Sequence, residues 1–161
     1  MYKLIIVGAS TSGKSTLMRY LRQHTDLVVA EMDEEIVKLN KGKWPTDDDY
    51  RNTVLVPKIT REIIGMDEVV YISSYVPDEL AKEAKHKGFT IVLLEVSLEQ
   101  LKTRNAKRMR EEKYRSVAAY FDMQLNGFKH LKDKGLIEKT IDGHKTTKEI
   151  ADEILEIVLQ A

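Results

Sequence analysis

The first sixteen residues contain a loop whose residue types and spacing suit phosphate binding. Residues 8–15 read Gly-Ala-Ser-Thr-Ser-Gly-Lys-Ser, which fills each fixed position of the pattern G-x-x-x-x-G-K-S. Gly8 and Gly13 permit backbone angles that a side chain would forbid, so several N–H groups can point at one anion. Lys14 adds a mobile cation for the β- and γ-phosphates, and Ser15 offers a hydroxyl to Mg²⁺. We expect the phosphates to be bound by Gly8, Ala9, Ser10, Thr11, Ser12, Gly13, Lys14, Ser15 and Thr16.

Apolar runs that alternate with helical patterns predict the elements that hold this loop. Five runs read as short strands, at residues 3–7, 27–30, 69–73, 90–96 and 136–141. Alternating strands and helices predict a mainly parallel sheet with helices on both faces. In such a sheet ligands bind at the carboxyl ends of the strands, so functional residues should follow strands.

Short local signals predict where several helices begin and end. Gly65, Gly88 and Gly135 each stand just before a predicted strand, as left-handed residues that stop a helix often do. Capping boxes are expected to begin helices at Ser97 and Thr146.

Composition narrows the class of protein. The chain has 161 residues, and its 26 Lys and Arg balance its 26 Asp and Glu, so no global positive field favours nucleic acid or an anionic membrane. There is no cysteine, no apolar run of membrane-spanning length and no signal peptide pattern. A cytoplasmic protein, monomeric or homodimeric and built as one domain over 1–161, is the expectation.

Two polar residues follow predicted strands. Asp33 comes after the second strand, near the expected γ-phosphate, where a carboxylate could accept the proton of an attacking hydroxyl or hold a metal-bound water. The alternative is that Asp33 only caps a helix beginning at Glu34. Ser73 ends the third strand and could contact an acceptor or a metal-bound water, although a serine there is more often structural.

Arg104 and Arg108 follow the fourth strand and are four residues apart, so they share one helical face. Arginines stabilise the negative charge that spreads over the oxygens during phosphoryl transfer. The alternative is a solvated helix whose arginines pair with neighbouring glutamates.

The stretch between the second and third strands suits an acceptor. The only tryptophan, Trp44, and Tyr50 could stack on a planar ligand, while Arg51 or Arg61 could bind an anion. Trp44 could equally pack this segment onto the core.

With these residues in place, the chain resembles the small phosphate-loop kinases, a group that includes nucleoside monophosphate kinases, shikimate kinase and gluconate kinase. The resemblance rests on the loop, on Asp33 and on the arginine pair. It implies a three-layer α/β fold with a five-stranded parallel sheet in the order 2-3-1-4-5, and it implies ATP and Mg²⁺ as cofactors. It also implies an acceptor-binding insertion at about 34–64, a lid at about 108–117 and His144 near the adenine.

The chain departs from particular members of that group. Residues 73–75, Ser-Ser-Tyr, stand where shikimate kinases have a glycine triplet, and the adenylate kinase signature is missing. The first hypothesis is therefore an ATP- and Mg²⁺-dependent kinase of a small acceptor, with a nucleotide or nucleoside preferred. A gluconate- or shikimate-like kinase, a nucleotide-binding regulator and a polynucleotide 5′-kinase remain alternatives. No Asn-Lys-x-Asp motif supports the regulator, and no broad basic surface supports the polynucleotide kinase.

Overall fold

The computed structural model describes residues 1–160. Its strands are β1 (Lys3–Gly8), β2 (Val29–Glu31), β3 (Val69–Ser73), β4 (Thr90–Glu95) and β5 (Lys139–Asp142). Its helices are α1 (Lys14–His24), α2 (Met32–Leu39), α3 (Asp48–Tyr50), α4 (Val56–Ile64), α5 (Asp78–His86), α6 (Leu98–Glu112), α7 (Phe121–Asp133) and α8 (Thr147–Leu159). The strands form one parallel sheet in the order β2-β3-β1-β4-β5, which confirms the predicted fold class.

Both faces of the sheet are buried. Alternate side chains of β1 enter different cores, because successive residues of a strand point to opposite faces. Ile5 and Val7 pack with α2, α4, α5 and α7, while Leu4 and Ile6 pack with α1 and α8. Burial on both sides explains why the central strands are continuous apolar runs rather than alternating ones.

The predicted helix ends are only partly confirmed. Gly88 and Gly135 have φ values of 88° and 70°, in the left-handed region, as expected. Gly65 has φ −79°, so a left-handed stop there is wrong. The helix tightens instead, because the Gly65 N–H donates to the carbonyls of Arg61 and Glu62.

The two capping boxes also differ. Thr146 and Glu149 form the complete box, each side chain accepting a hydrogen bond from the other's backbone N–H. At α6 only one half is present: the Ser97 hydroxyl accepts a hydrogen bond from the backbone N–H of Gln100. The start of α6 is nevertheless where the sequence predicts it.

Two strand boundaries lie further along the chain than the sequence predicts. The strand expected at 27–30 begins at Val29, because the backbone N–H of Leu27 is used by the Thr25 hydroxyl. The strand expected at 136–141 begins at Lys139, because Leu136 closes the turn after α7 through a hydrogen bond to Leu131. Both residues are apolar because they contact the core, not because they pair with a strand.

Two connections frame the carboxyl edge of the sheet. Between β2 and β3, α3 and α4 are joined without a break by a π-helical segment, Arg51–Leu55. Between α6 and α7, a connection at 113–120 ends in a 3₁₀ turn, Ala118–Tyr120. In the described part of the chain no helix has both the length and the apolar character to cross a membrane.

Candidate active site

The phosphate loop connects β1 to α1 and depends on two glycines. Gly13 has φ +99°, a conformation that an L-residue with a side chain rarely adopts. Gly8 does not have a positive φ, so the expectation that it needs backbone angles forbidden to a side chain is wrong. Its constraint is space, because a Cβ there would lie 2.7 Å from the Ser12 hydroxyl oxygen and that hydroxyl would have to move. The backbone conformation that the sequence predicts is therefore present at Gly13.

The loop fits an anion. Within residues 1–160, the backbone N–H groups of Gly13, Lys14, Ser15 and Thr16 have no hydrogen-bonded partner, and they lie at the positive end of α1. The hydroxyl of Ser12 is buried and also unpartnered there. Buried polar groups are normally hydrogen-bonded, so this cluster of unused donors matches what nucleotide phosphates would accept.

Lys14 lies at the centre of the site. Its ammonium donates to the carbonyl oxygen of Ala9 at 2.7 Å. Burial lowers the pKa of Lys14 to about 8, while the carboxylates of Asp33 and Glu31 oppose that shift and Arg108 adds to it. The Lys14 ammonium is thus within electrostatic range of two acids at the end of β2 and the start of α2, and of Arg108 in α6.

Asp33 is not the cap of α2. The cap is Glu31, whose carboxylate accepts the backbone N–H groups of Asp33 and Glu34, each at 3.1 Å. The alternative in which Asp33 only caps a helix is therefore wrong. Glu31 was not among the residues predicted from the sequence, although a carboxylate at the strand end, two positions before Asp33, is a signal for such a cap.

The carboxyl of Asp33 stands in the first turn of α2. Solvent reaches it, but the protein around it removes part of its hydration, which raises its pKa. Lys14 and Arg51 oppose that rise, so both cations lie within electrostatic range of the Asp33 carboxyl. Burial likewise raises the pKa of Glu31, and the negative charge of Asp33 adds to that shift.

Arg51 is a buried cation in the region predicted to bind the acceptor. Its guanidinium carbon lies 5.3 Å from the ring centre of Trp44 and 5.9 Å from that of Tyr120. One terminal nitrogen donates to Asp48 at 2.9 Å and Nε donates to Asn52 at 3.3 Å. The other terminal nitrogen has no hydrogen bond to residues 1–160, so it remains free for a ligand.

Three other residues predicted for the acceptor are placed differently. Tyr50 is 44% exposed beside Arg51 and keeps its ring accessible. Arg61 is exposed on α4, and its side chain makes no hydrogen bond or ion pair within residues 1–160. Ser73 is fully buried, and its hydroxyl is used by the backbone of Tyr75, donating at 2.7 Å and accepting at 3.1 Å.

Of the arginine pair of α6, Arg104 bonds the phosphate loop directly and Arg108 lies within electrostatic range of Lys14. Arg104 donates to the carbonyls of Thr11 at 3.3 Å and Gly143 at 3.0 Å. Arg108 acts on the pKa of Lys14, stacks on Tyr114 at 4.0 Å and lies 3.6 Å from Glu112. Arg104 thus holds the phosphate loop to the turn at Gly143. The role of Arg108 in phosphoryl transfer remains a prediction.

His144 lies in the turn after β5. Its Nδ1 is 2.7 Å from the Asp142 carboxylate, and its Nε2 accepts the backbone N–H of Ser97 at 3.3 Å. These contacts connect the turn to the start of α6, on the side of the loop where Arg104 bonds Gly143. A role for His144 beside the adenine remains a prediction.

Two amide side chains complete the site and were missed. Gln124 of α7 accepts the backbone N–H of Ser10 at 2.9 Å and donates to its hydroxyl at 3.0 Å. Asn105 of α6 donates to Ser116 at 3.1 Å and accepts from Val117 at 3.0 Å. Nothing in the local sequence signals either contact, because each joins separate elements.

No group of three or more His, Asp or Glu side chains able to hold a metal occurs in the described residues.

Comparisons with known proteins agree with this geometry at the level of fold. No protein-family model matches the chain. No curated protein matches it either. Shikimate kinase from Aquifex aeolicus superposes with a TM-score of 0.72 at 18% identity, covering 96% of this chain and 94% of that one. A gluconokinase from Sinorhizobium meliloti gives 0.62 at 19% identity, covering 99% and 92%.

A third similar structure is a chain of the Pnkp1/Rnl/Hen1 RNA repair complex. Its TM-score is 0.61 at 20% identity, covering 83% of this chain and 45% of that chain. Identities this low establish the fold. The chain therefore has the three-layer fold of the small phosphate-loop kinases, and the resemblance noted from the sequence is confirmed at that level.

Proposed function

We propose that this protein transfers the γ-phosphoryl group of ATP to a hydroxyl of a small anionic acceptor. The observation that carries the proposal is that the Lys14 ammonium, held at the Ala9 carbonyl of a loop with unpartnered amides, lies within electrostatic range of the Asp33 carboxyl. A nucleotide-binding regulator would need the loop. It would not need the Asp33 carboxyl, or the buried Arg51 guanidinium within electrostatic range of that carboxyl.

Each residue has a role that its surroundings support. The loop amides would bind the phosphates, and Lys14 would leave the Ala9 carbonyl to follow the transferred phosphoryl group. Asp33 would accept the proton of the acceptor hydroxyl, for which its raised pKa suits it. Arg108 would stabilise charge on the equatorial oxygens.

Mg²⁺ fits this site through oxygen ligands. Ser15 lies at the start of α1, where the pattern predicts the metal-bound hydroxyl, and Asp33 and Glu31 are the nearby carboxylates that could hold metal-bound water. Bound there with ATP, the ion would neutralise charge on the β- and γ-phosphates.

The acceptor should carry a negative charge, because Arg51 keeps a terminal nitrogen free beside Asp33. Trp44 and Tyr50 are 47% and 44% exposed, and planar faces next to a buried cation favour a nucleoside monophosphate over a sugar acid. We propose the insertion at about 34–64 as the acceptor region and the segment at about 108–117 as a lid.

A small hydroxy acid is the second candidate. Trp44 already has Arg51 near its ring, and Arg61 stands apart, so the site offers one anion-binding cation rather than two. Two of the similar structures are a shikimate kinase and a gluconokinase, which supports this candidate.

An ADP-release assay over nucleoside monophosphates, nucleosides, hydroxy acids and oligonucleotides with a 5′-hydroxyl tests the proposal. A true acceptor should raise ADP release well above the rate with ATP alone, because kinases of this shape suppress transfer to water. Lys14→Ala should lower that rate roughly a thousandfold, whereas Lys102→Ala, on the exposed side of α6, should not. If only hydroxy acids stimulate ADP release, the acceptor is a hydroxy acid and not a nucleotide. If no compound stimulates ADP release, the proposal of a kinase is contradicted.

A further inference from the structure

A short part of the chain connects the phosphate loop to the acceptor cation. This connecting segment, residues 116–124, joins α6 to the first turn of α7. Gln124 holds Ser10 of the phosphate loop through two hydrogen bonds, although the two residues are 114 positions apart. Tyr120, one helical turn earlier, lies over the guanidinium of Arg51.

The geometry of the Gln124 contact is specific. A backbone N–H only donates, so the side-chain oxygen of Gln124 must face Ser10 N, and its NH₂ group then reaches the Ser10 hydroxyl. Both polar atoms of the amide are thereby committed to one residue of the loop. Ser10 N is therefore the loop amide already engaged by a side chain, whereas the amides of residues 13–16 have no partner within residues 1–160.

The other end of the segment is equally defined. Positions 120 and 124 are four apart and lie on the same side of the helix start. The Tyr120 ring and the Trp44 ring both lie within 6 Å of the Arg51 guanidinium. A movement of the first turn of α7 would therefore change the surroundings of Arg51, and Trp44 would sense it.

We propose that Gln124 is a positioning residue that couples occupancy of the phosphate loop to the setting of Arg51, with Tyr120 as the link between them. A nucleotide phosphate offers Ser10 N a stronger, charged acceptor than an amide oxygen. Any rearrangement of the Ser10–Gln124 pair is passed to α7, and through Tyr120 to the acceptor cation. The coupling requires that the loop bind nucleotide, so it rests on the proposed function.

Trp44 makes the test possible without knowing the acceptor, because it is the only tryptophan of the chain. Its fluorescence would be followed while the β,γ-imido analogue of ATP is added with Mg²⁺, and binding would be measured separately by titration calorimetry. In the unmodified protein the analogue should bind and change Trp44 emission. In Gln124→Leu the analogue should still bind, within about tenfold of the original affinity, while the emission change falls at least threefold.

Three further variants separate coupling from general damage. Tyr120→Leu should lose the emission change with unaltered affinity, since it breaks the other end of the link, and Tyr120→Phe should retain it. Asn126→Leu places the same substitution type on an exposed part of α7 and should behave as the original protein. Thermal unfolding of each variant shows that it is folded.

The outcomes are distinguishable. A full emission change in Gln124→Leu, or the same loss in Asn126→Leu, would overturn the coupling while leaving the proposed function intact. Absence of analogue binding to the original protein would overturn the proposed function, and the coupling with it.

Discussion

The charge on Lys14 should change when nucleotide binds. Its pKa of about 8 means that about half of the molecules carry a neutral amine at pH 8. Phosphate anions favour the charged ammonium and so raise that pKa, which means that binding takes up protons. We expect uptake to rise from near zero at about pH 6.5 to roughly half a proton at pH 8.

Calorimetry of analogue binding in buffers of different ionisation enthalpy measures this uptake. Lys14→Arg is the matched control, because arginine stays protonated over this range and should show no such rise. An uptake that does not change between these pH values would mean that the amine is already charged.

Asp33 should matter for turnover more than for nucleotide affinity. Asp33→Asn keeps the shape of the side chain and leaves the cap at Glu31 untouched, but it removes the proton acceptor. We expect turnover to fall by roughly a hundredfold or more, with the affinity for ATP changed only a few-fold. In the original protein, turnover should also fall as the pH drops, starting above the usual range for an aspartate because lost hydration around the Asp33 carboxyl raises its pKa.

A kinetic pH profile of both proteins checks this expectation. In the original protein, turnover should fall toward low pH. The residual turnover of Asp33→Asn should not show this fall. Equal turnover in the two proteins would remove Asp33 from the chemistry.

At the scale of elements, α6 should divide its two arginines between different tasks. Arg104 bonds two carbonyls on separate loops, and a lysine cannot reproduce that fork. We therefore expect Arg104→Lys to weaken nucleotide binding about tenfold, which is about 1.4 kcal/mol. Arg108→Lys should instead lower turnover with little change in binding, since Arg108 bonds no loop carbonyl.

Binding and steady-state measurements on the two variants show whether the tasks separate. Lys102→Ala again provides an exposed control on the same helix. If the nucleotide affinity and the turnover of both lysine variants stay within about twofold of the original values, the arginines are only surface charges. A twofold change is well below the tenfold that about 1.36 kcal/mol would produce.

The connection after α6 should depend on Asn105. This buried amide holds Ser116 and Val117, and its removal leaves the N–H of Val117 without its partner. Asn105→Ala should lower the free energy of unfolding by about 1–3 kcal/mol. Denaturant unfolding measures the loss, and proteolysis should become faster between residues 113 and 117 than in Lys102→Ala. Equal cleavage in both variants would contradict an anchoring role for Asn105.

At the scale of the whole molecule, nucleotide should stabilise the fold, because the site is assembled from several elements and exists only in the folded state. At an analogue concentration about one hundred times the dissociation constant, binding adds about 2.7 kcal/mol. For a chain of this length that corresponds to a rise in Tm of roughly 5–10 °C. Thermal unfolding should show this rise for the original protein and a much smaller one for Lys14→Ala. An equal rise in Tm in the original protein and in Lys14→Ala would mean that the analogue binds at a site that does not include Lys14.

The sequence by itself determined the elements whose signals are local. The glycines, lysine and serine of residues 8–15 specify the loop because each acts through its own backbone angles or side chain. Continuous apolar runs specified the buried parallel strands, since burial on both faces leaves no polar alternation. The strand order was implied by the resemblance, and the observed pairing of the strands confirms it.

Only the tertiary structure decided which polar side chains meet. Arg51 and Arg61 look alike in sequence, but one lies between two aromatic rings and the other is exposed on α4. Ser73 ends its strand as predicted, yet its hydroxyl is used by the turn that follows. The contact between Gln124 and Ser10 has no local signature, because folding, and not spacing along the chain, brings α7 onto the phosphate loop.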